Sequence, residues 1–524
     1  MKSLLWLHTS IIRELGDAMG IDTKRDISYL EKRVSEEGDC FLTITLPTFE
    51  TSLLTAIENG RVGPQDFLGF KKVRLLPAFL QDWTGLIFSS DGTLKVNASP
   101  EAIRDIRQIC CLTKKVEMRV SDSRIKAAYQ QFVDTDREIA CIACKVKLGF
   151  NRALAYRESF NHLFGDLLDD LENSIGNFQL IPGHGPGAVA EKLSQKQRRV
   201  QEPWNSSMES VFPSSIYLSY DGLKAPVPLV PEDAEIPCRV VDVPKTMKSP
   251  RLIAIEPSCK QYMQQGLSRI MYRWLRRRYP GSLDLHDQST NRAWAWYSSI
   301  TRSHATLDLS EASDRVHRSL VEMVVGKRPH LRDALLAARS SRALLPGGDI
   351  ITLEKFASMG SALTFPLESM VFTAIAVAAM RDSGHRVTPT SLHEYVSVFG
   401  DDIIVPSSES QHVSDWLESL GLKVNQKKSY THGYFRESCG EEYFAGSDVT
   451  IVKLTRPIPT SSADAQGIAT MSSFRNRLFS YGLWTTARKI DEYLASLVKW
   501  EPIPYGYDAI GRWTFCDVPP QRLS

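Results

Sequence analysis

Two adjacent carboxylates, Asp401 and Asp402, follow Gly400 between two short β-prone runs, residues 395–399 and 403–405. Apolar runs separated by Gly-Asp-Asp predict a tight hairpin with both acids at its tip. Neighbouring carboxylates repel each other and are costly together unless a cation compensates them, so this placement points to a divalent metal site. A plain Asp-rich turn is the competing reading, because such a triplet arises by chance in roughly one chain in ten of this length.

A third acid, Asp308, ends the short run Ala305-Thr-Leu, and Ser310 stands where it can cap a following helix. If that run pairs as a strand beside the hairpin, Asp308 and Asp401 could hold two Mg²⁺ ions about 4 Å apart, with Asp402 assisting. That arrangement serves phosphoryl transfer, activating a 3′-hydroxyl and stabilising a triphosphate and its departing pyrophosphate. Between the acids, residues 358–366 read as a flexible turn that runs into an apolar helix over 367–380, with Pro366 in its first turn. Glu368 and Ser369 interrupt the start of that helix, either as capping groups or as substrate contacts.

Positive charge is concentrated upstream. From Cys238 to Arg278 there are ten Lys and Arg against Asp242 and Glu256. Met263, Leu267, Ile270, Met271 and Trp274 recur at helical spacing, and Arg269, Arg273, Arg276 and Arg277 gather on another face. One face packs; the other is a solvated basic face or one that meets anions. Lys245, Lys248 and Arg251 lie in a proline-broken stretch, which predicts a basic loop or ribbon. The glycine-rich run 181–188 is an ordinary loop or one able to approach a phosphate closely.

The elements that must position these groups belong to a folded chain. With 524 residues, 43% of them hydrophobic and 24% charged, disordered, collagen-like and coiled-coil classes are excluded. The 63 Lys and Arg against 61 Asp and Glu leave a net charge of +2, so a polyanion would have to be held by a local patch. Nine cysteines, an odd number, do not make a disulfide scaffold and suit a reducing compartment. Cys141 and Cys144 are expected as a buried structural pair rather than a zinc or redox site. No secretory signal is expected from the brief run at residues 4–7. The longest apolar run, 371–380, falls far short of the roughly 20 residues of a membrane helix.

Order and spacing then narrow the choice. Val243-Pro-Lys with Ile255-Glu-Pro257, Asp287-Gln-Ser-x-Asn291, Asp308-Leu-Ser-x-Ala-Ser-Asp314, Met359-Gly with Thr364-Phe-x-Leu-Glu-Ser369, Gly400-Asp-Asp-Ile-Ile404 and Phe435-Arg-Glu-Ser-Cys-Gly440 follow one another over about 240–456. This series resembles viral RNA-dependent RNA polymerases. More narrowly, it resembles the replicase catalytic (β) subunit of single-stranded RNA bacteriophages, the levivirus group of Qβ and MS2. Asn425-x-x-Lys428-Ser429, just before the last block, separates that group from other polymerases with an Asp-Asp hairpin.

The resemblance implies Asp308, Asp401 and Asp402 as catalytic metal ligands for two Mg²⁺ ions, with Mn²⁺ as an alternative. It implies Lys245, Lys248 and Arg251 near the incoming triphosphate, where ammonium and guanidinium groups suit the task. Gly360 and Thr364 fall in its nucleotide-binding set. Lys428 falls where relatives place a possible general acid for pyrophosphate, a solvated lysine being the alternative. Asp314 is a candidate sensor of the ribose 2′-hydroxyl, with helix capping as its competitor. Phe399 replaces the tyrosine that better-known relatives carry before Gly-Asp-Asp, and Ser361-Ala362 replaces their Asn-Gly.

The implied fold is an α+β right-hand polymerase with an antiparallel palm sheet. Its divisions would be an N-terminal region and fingers over 1–236, a palm with intervening fingers segments over 237–455, and a thumb over 456–524. The implied reaction is primer-independent synthesis of RNA on an RNA template in the cytoplasm of a bacterial host. Implied partners are template and product RNA, nucleoside triphosphates, host elongation factors Tu and Ts, and an RNA-binding ribosomal protein, with no membrane. A reverse transcriptase-like polymerase and a non-catalytic RNA-binding or assembly protein are the rival readings.

Overall fold

The computed structural model describes residues 4–148, 150–199, 204–218 and 227–515, without the side chains of 142–150 and 199. Helix α1 (Leu5–Met19) and a group of shorter helices precede two long ones, α2 (Asp122–Leu148) and α3 (Phe150–Gly176). The ribbon β1 (Cys238–Val243) and β2 (Arg251–Ile255) leads to α4 (Ser258–Arg278), α5 (Ser289–Thr301) and β3 (His304–Leu307). Strands β4 (Arg342–Leu344) and β5 (Ile350–Thr352) come before α6 (Thr364–Asp382), and β6 (Ser397–Phe399) and β7 (Asp402–Pro406) come before α7 (Ser410–Ser419). The meander β8 (Phe435–Ser438), β9 (Glu441–Phe444) and β10 (Ser447–Asp448) is followed by α8 (Ala465–Tyr481) and α9 (Trp484–Ala495).

Helices and largely antiparallel sheets are mixed, the α+β class that the sequence predicts. One sheet has the order β6-β7-β3 and another β8-β9-β10, both antiparallel throughout. A four-stranded sheet, β2-β1-β4-β5, contains one parallel pair, β1 with β4. Helix α6 is buried on every side, from Leu367 through Met380, which is why its sequence is apolar without a polar stripe. It packs in the central core against α3 and α7, which bring Phe160, Phe164 and Trp416 to that core.

A second core joins the two ends of the chain. Leu7, Ile11, Phe49 and Ile106 share it with Phe435, Phe474, Ile490 and Leu494. The Glu14 carboxylate on α1 accepts hydrogen bonds from the N–H groups of Thr485 and Thr486, at 2.6 and 2.8 Å, in the first turn of α9. Those N–H groups have no partner inside α9, so α1 serves as its cap. A small third cluster lays Phe132 of α2 on Val240, Ala254 and Ala343 of the four-stranded sheet.

Three local expectations need correction. Tyr395 lies in a short helical turn, Leu392–Tyr395, rather than in the strand, which begins at Ser397. Ser310 does not cap the next helix; His317 does, its ring accepting from the Ser319 N–H at 3.0 Å. Cys141 is exposed rather than part of a buried pair, because its position on α2 faces away from the packed side, and the Cys144 side chain lies outside the described residues. Among the described residues no single helix is long and apolar enough to cross a membrane; one pair, Lys24–Glu37 with Phe41–Glu58, is so by length and composition but is bent by 114°.

Candidate active site

Strand pairing brings the three acids together. β7 lies antiparallel to β3 with Ile403 opposite Leu307 and Ile404 opposite Thr306, so the next pair in that register is Asp402 with Asp308. On its other side β7 pairs with β6, Phe399 facing Asp402, which leaves Gly400 and Asp401 as a two-residue turn. Gly400 has φ +63°, and a Cβ there would collide with the Phe365 ring. Its N–H donates to Ser369 Oγ at 3.1 Å. The turn is thus held down onto the start of α6, with Asp401 exposed at its tip.

Asp308 is gripped from several directions. Its backbone N–H donates to Ser429 Oγ at 3.1 Å, and its carbonyl accepts from the Asn425 N–H at 2.8 Å. Asn425 Nδ2 donates to Asp308 Oδ2 at 2.8 Å, and Lys428 Nζ lies 3.6 Å from Oδ1. Burial raises the Asp308 carboxyl above its usual range; Lys428 and Asn425 oppose this, and Asp401 adds to it.

Asp402 is pushed up to about 6, first by burial and then by the charge of Asp401, with Asp308 adding. Its Oδ2 accepts from the Cys439 N–H at 2.9 Å. Cys439 and Gly440 form the two-residue turn between β8 and β9, both with positive φ, at +50° and +80°. That backbone shape, uncommon for a residue with a side chain, aims the Cys439 N–H at the acid.

Positive groups stand over the same pocket. Lys245, on the loop between β1 and β2, is lowered by enclosure and then by the charges of Arg251 and Lys428, while Asp401 and Asp308 pull the other way. Lys245 and Lys428 therefore share the field of the acids, and Arg251 acts on Lys245. Lys248, like Lys245, has an exposed side chain on this loop.

The remaining predicted residues have structural partners. Asp314 Oδ1 lies 3.2 Å from the fully buried Lys355 Nζ, which also sits over the Phe132 ring. Gly360 has φ +129° and lies so close to β2 that a Cβ would collide with the Ala254 carbonyl. The Met359 carbonyl accepts from the Ala254 N–H at 2.8 Å, so the turn expected to be flexible is strapped to β2. Thr364 Oγ1 donates to the Ser358 carbonyl at 2.8 Å.

The glycine-rich loop packs on α4: a Cβ at Gly183 would press on the Arg269 guanidinium, and Arg269 donates to the Ile181 carbonyl at 2.9 Å.

Sequence reasoning left several contributors without a role. Asn425 and Ser429 were visible as a motif, but nothing in their spacing showed that they hold Asp308. Cys439 acts through its backbone N–H, which has no signature in residue type, as well as through its side chain. Glu368 and Ser369 do not cap the helix: Ser369 accepts from Gly400, and Ser313 Oγ donates to Glu368 Oε2 at 2.7 Å. Burial, with Asp401 and Asp314 adding, pushes Glu368 up to about 8.

Among the described residues no three His, Cys, Asp or Glu side chains stand ready as a metal cage. The donor set is nonetheless all carboxylate oxygen, which suits Mg²⁺ or Mn²⁺ rather than softer ions. Asp308 and Asp402 are both raised by burial and neighbouring anions, an excess of negative charge that a divalent cation would relieve. The residues present fit the group.

Comparison with known proteins bears on this pocket. Residues 234–467 match the model of the family described as RNA replicase, beta-chain. The RNA-directed RNA polymerase subunit beta of Enterobacteria phage SP is 40% identical over 222 residues, covering 42% of this chain and 36% of that protein. The RNA-directed RNA polymerase beta chain of Escherichia phage MS2 is 36% identical over 219 residues, covering 42% of this chain and 38% of that one. The matched region thus spans little more than a third of those relatives' length. Among solved structures, the BmCPV RNA-dependent RNA polymerase at elongation state aligns with a TM-score of 0.40 at 13% identity, over 63% of this chain and 32% of that one. The segment that carries every acid of the pocket is the segment that matches the RNA replicase beta-chain family.

Proposed function

We propose that this chain is the catalytic subunit of a phage RNA-directed RNA polymerase, copying an RNA template by two-metal nucleotidyl transfer without a primer. The observation that carries this reading is the β3–β7 register, which sets Asp308 beside the Asp401-Asp402 turn, with Lys245 in the field of Asp401 and Asp308. Asp308 and Asp401, with Asp402 in support, would hold Mg²⁺, which when bound supplies activation of a 3′-hydroxyl and charge stabilisation on the triphosphate.

Every other part falls to the chain's own residues. Asn425 and Cys439 orient two of the carboxylates, as partners that fix metal ligands generally do. Lys245, Lys248 and Arg251 receive the triphosphate, and Lys428 serves as proton donor to the departing pyrophosphate. Asp314 reads the ribose 2′-hydroxyl when Lys355 yields it, and the backbone turn at Gly360 and Thr364 forms the wall of the nucleotide site.

The fold reading that goes with this is a right hand, with N-terminal region and fingers over 1–236, palm with intervening fingers segments over 237–455, and thumb and C-terminal region over 456–524. Template and product RNA, nucleoside triphosphates, host elongation factors Tu and Ts and an RNA-binding ribosomal protein are the proposed partners, in the cytoplasm of the bacterial host.

The test is Asp401→Asn assayed for RNA synthesis on an RNA template with Mg²⁺, alongside RNA binding. Synthesis should collapse while binding falls much less; retained synthesis in a clean preparation rejects the reading. Replacing ribonucleotides by deoxyribonucleotides separates it from a reverse transcriptase.

A further inference from the structure

Outside the acid pocket, the molecule has an open groove of about 990 Å³ along one face of α4. Arg269, Arg273, Arg276 and Arg277 line it together with Tyr272 and His286. Among the described residues only Arg276 of these four arginines has a carboxylate within ion-pair distance, Asp284 at 3.5 Å. Positions 269, 273 and 277 recur about once per helical turn, roughly 6 Å apart along the axis, with Arg276 beside Arg277. Tyr272 and His286 pack ring on ring, 5.0 Å between centroids at 36°. At one end the groove reaches Ala362, whose N–H donates to Gln264 Oε1. Tyr272 also lies within the field of Glu368, which in turn feels Asp401.

We infer that this groove holds single-stranded RNA, its arginines on successive phosphates and its Tyr272–His286 pair as a platform for a base. A row of arginines in which only Arg276 has a carboxylate partner matches a polymer with a repeating charge better than a ligand with one phosphate cluster, and an aromatic beside such a row is the usual form of a sequence-tolerant single-strand site. Because the groove ends at the turn that leads into α6, the strand would run toward the acids. The inference rests on the polymerase reading for the identity of the strand as template.

The experiment uses the full chain with Arg273→Glu and Arg277→Glu, a short fluorescent single-stranded oligoribonucleotide and a salt series. A control with Lys24→Glu and Arg119→Glu makes the same change in net charge elsewhere. The groove variant should bind RNA about tenfold or more weakly, with a log–log salt slope smaller by about 1.4, since each single-strand phosphate contact contributes about 0.7. The control should not. His286→Ala should weaken binding severalfold and leave the salt slope in place, because it removes stacking and no arginine.

In synthesis assays the groove variant should raise KM for template and not for nucleoside triphosphate. Arg273→Gln with Arg277→Gln should move in the same direction, which guards against a folding defect from charge reversal. Unchanged RNA affinity in both groove variants overturns the inference, as does loss of polyglutamate binding with RNA binding intact. If the wild-type chain makes no RNA at all, the polymerase reading fails while the binding arm still decides the groove.

Discussion

Asn425 holds the inner oxygen of Asp308: its amide donates to Oδ2 at 2.8 Å while Lys428 stands 3.6 Å from Oδ1. The amide fixes the rotation of the carboxylate, and the lysine leaves the other oxygen to a competing charge. Partners of this kind typically alter metal affinity or activity by about 10–100-fold when removed. Asn425→Ala should therefore raise the Mg²⁺ concentration needed for half-maximal RNA synthesis by about tenfold or more, with RNA affinity little changed. A Mg²⁺ titration that superposes on the wild type would remove Asn425 from the site.

Gly400 is under two constraints at once, a positive φ and the Phe365 ring where a Cβ would go. Gly400→Ala should cost about 1–3 kcal/mol of stability, from strain and crowding together. Adding Phe365→Ala should return only part of what was lost, because relief of the clash leaves the φ penalty in place. Urea unfolding of the two single variants and the double variant gives the coupling directly. An additive cycle would mean that the ring and the turn do not press on each other.

What could be read in the sequence follows from how local each signal is. Asp308 and the Asp401-Asp402 turn were legible because each abuts a short apolar run, and a strand end with an acid on it is a local pattern. The ribbon of β1 and β2 was legible for the same reason, its prolines excluding a helix. Asn425 lies 117 residues from Asp308, and the donor from Cys439 is a backbone N–H that every non-proline residue has. Nothing in residue type marks either one. The shared core of α1 and α9, and the exposed side of α2 that bears Cys141, depend on which surfaces meet after folding, and periodicity does not specify that.

Glu368 links the pocket to pH. Its carboxyl, ordinarily at 4.5, stands at about 8 in the folded protein because it is buried, with Asp401 and Asp314 adding to the effect. Between those values the folded state binds the proton and the unfolded state does not, so this group's contribution to stability is full below pH 4.5 and is lost as pH rises toward 8. Glu368→Gln keeps a neutral acceptor for the Ser313 hydroxyl and removes the titration. The difference in unfolding free energy should move in favour of the variant by about 1–3 kcal/mol from pH 5 to pH 8, without divalent ions. A difference that stays flat with pH would place the Glu368 carboxylate in water.

Arg107 connects stability to the site. Its guanidinium is buried, 3.2 Å from Glu50 and ion-paired with Glu442 on β9, and it donates to the Val449 carbonyl at 2.6 Å. Burial alone would raise Glu50, but Lys114 and Arg107 hold it down at about 2. Arg107→Ala leaves the buried Glu50 and Glu442 with only Lys114 and Lys453 as cations, each at 3.6 Å, and should cost about 3–5 kcal/mol. Arg107→Met with Glu50→Gln and Glu442→Gln should recover part of that, since no buried carboxylate is left charged, while Lys114 and Lys453, which are partly exposed, lose their partners. β9 is also one arm of the hairpin whose turn presents the Cys439 N–H to Asp402. Arg107→Ala assayed well below its melting temperature should therefore lose RNA synthesis while keeping single-strand RNA affinity, because the α4 groove lies in a different core. Equal losses of both would mean that Arg107 acts on global folding alone.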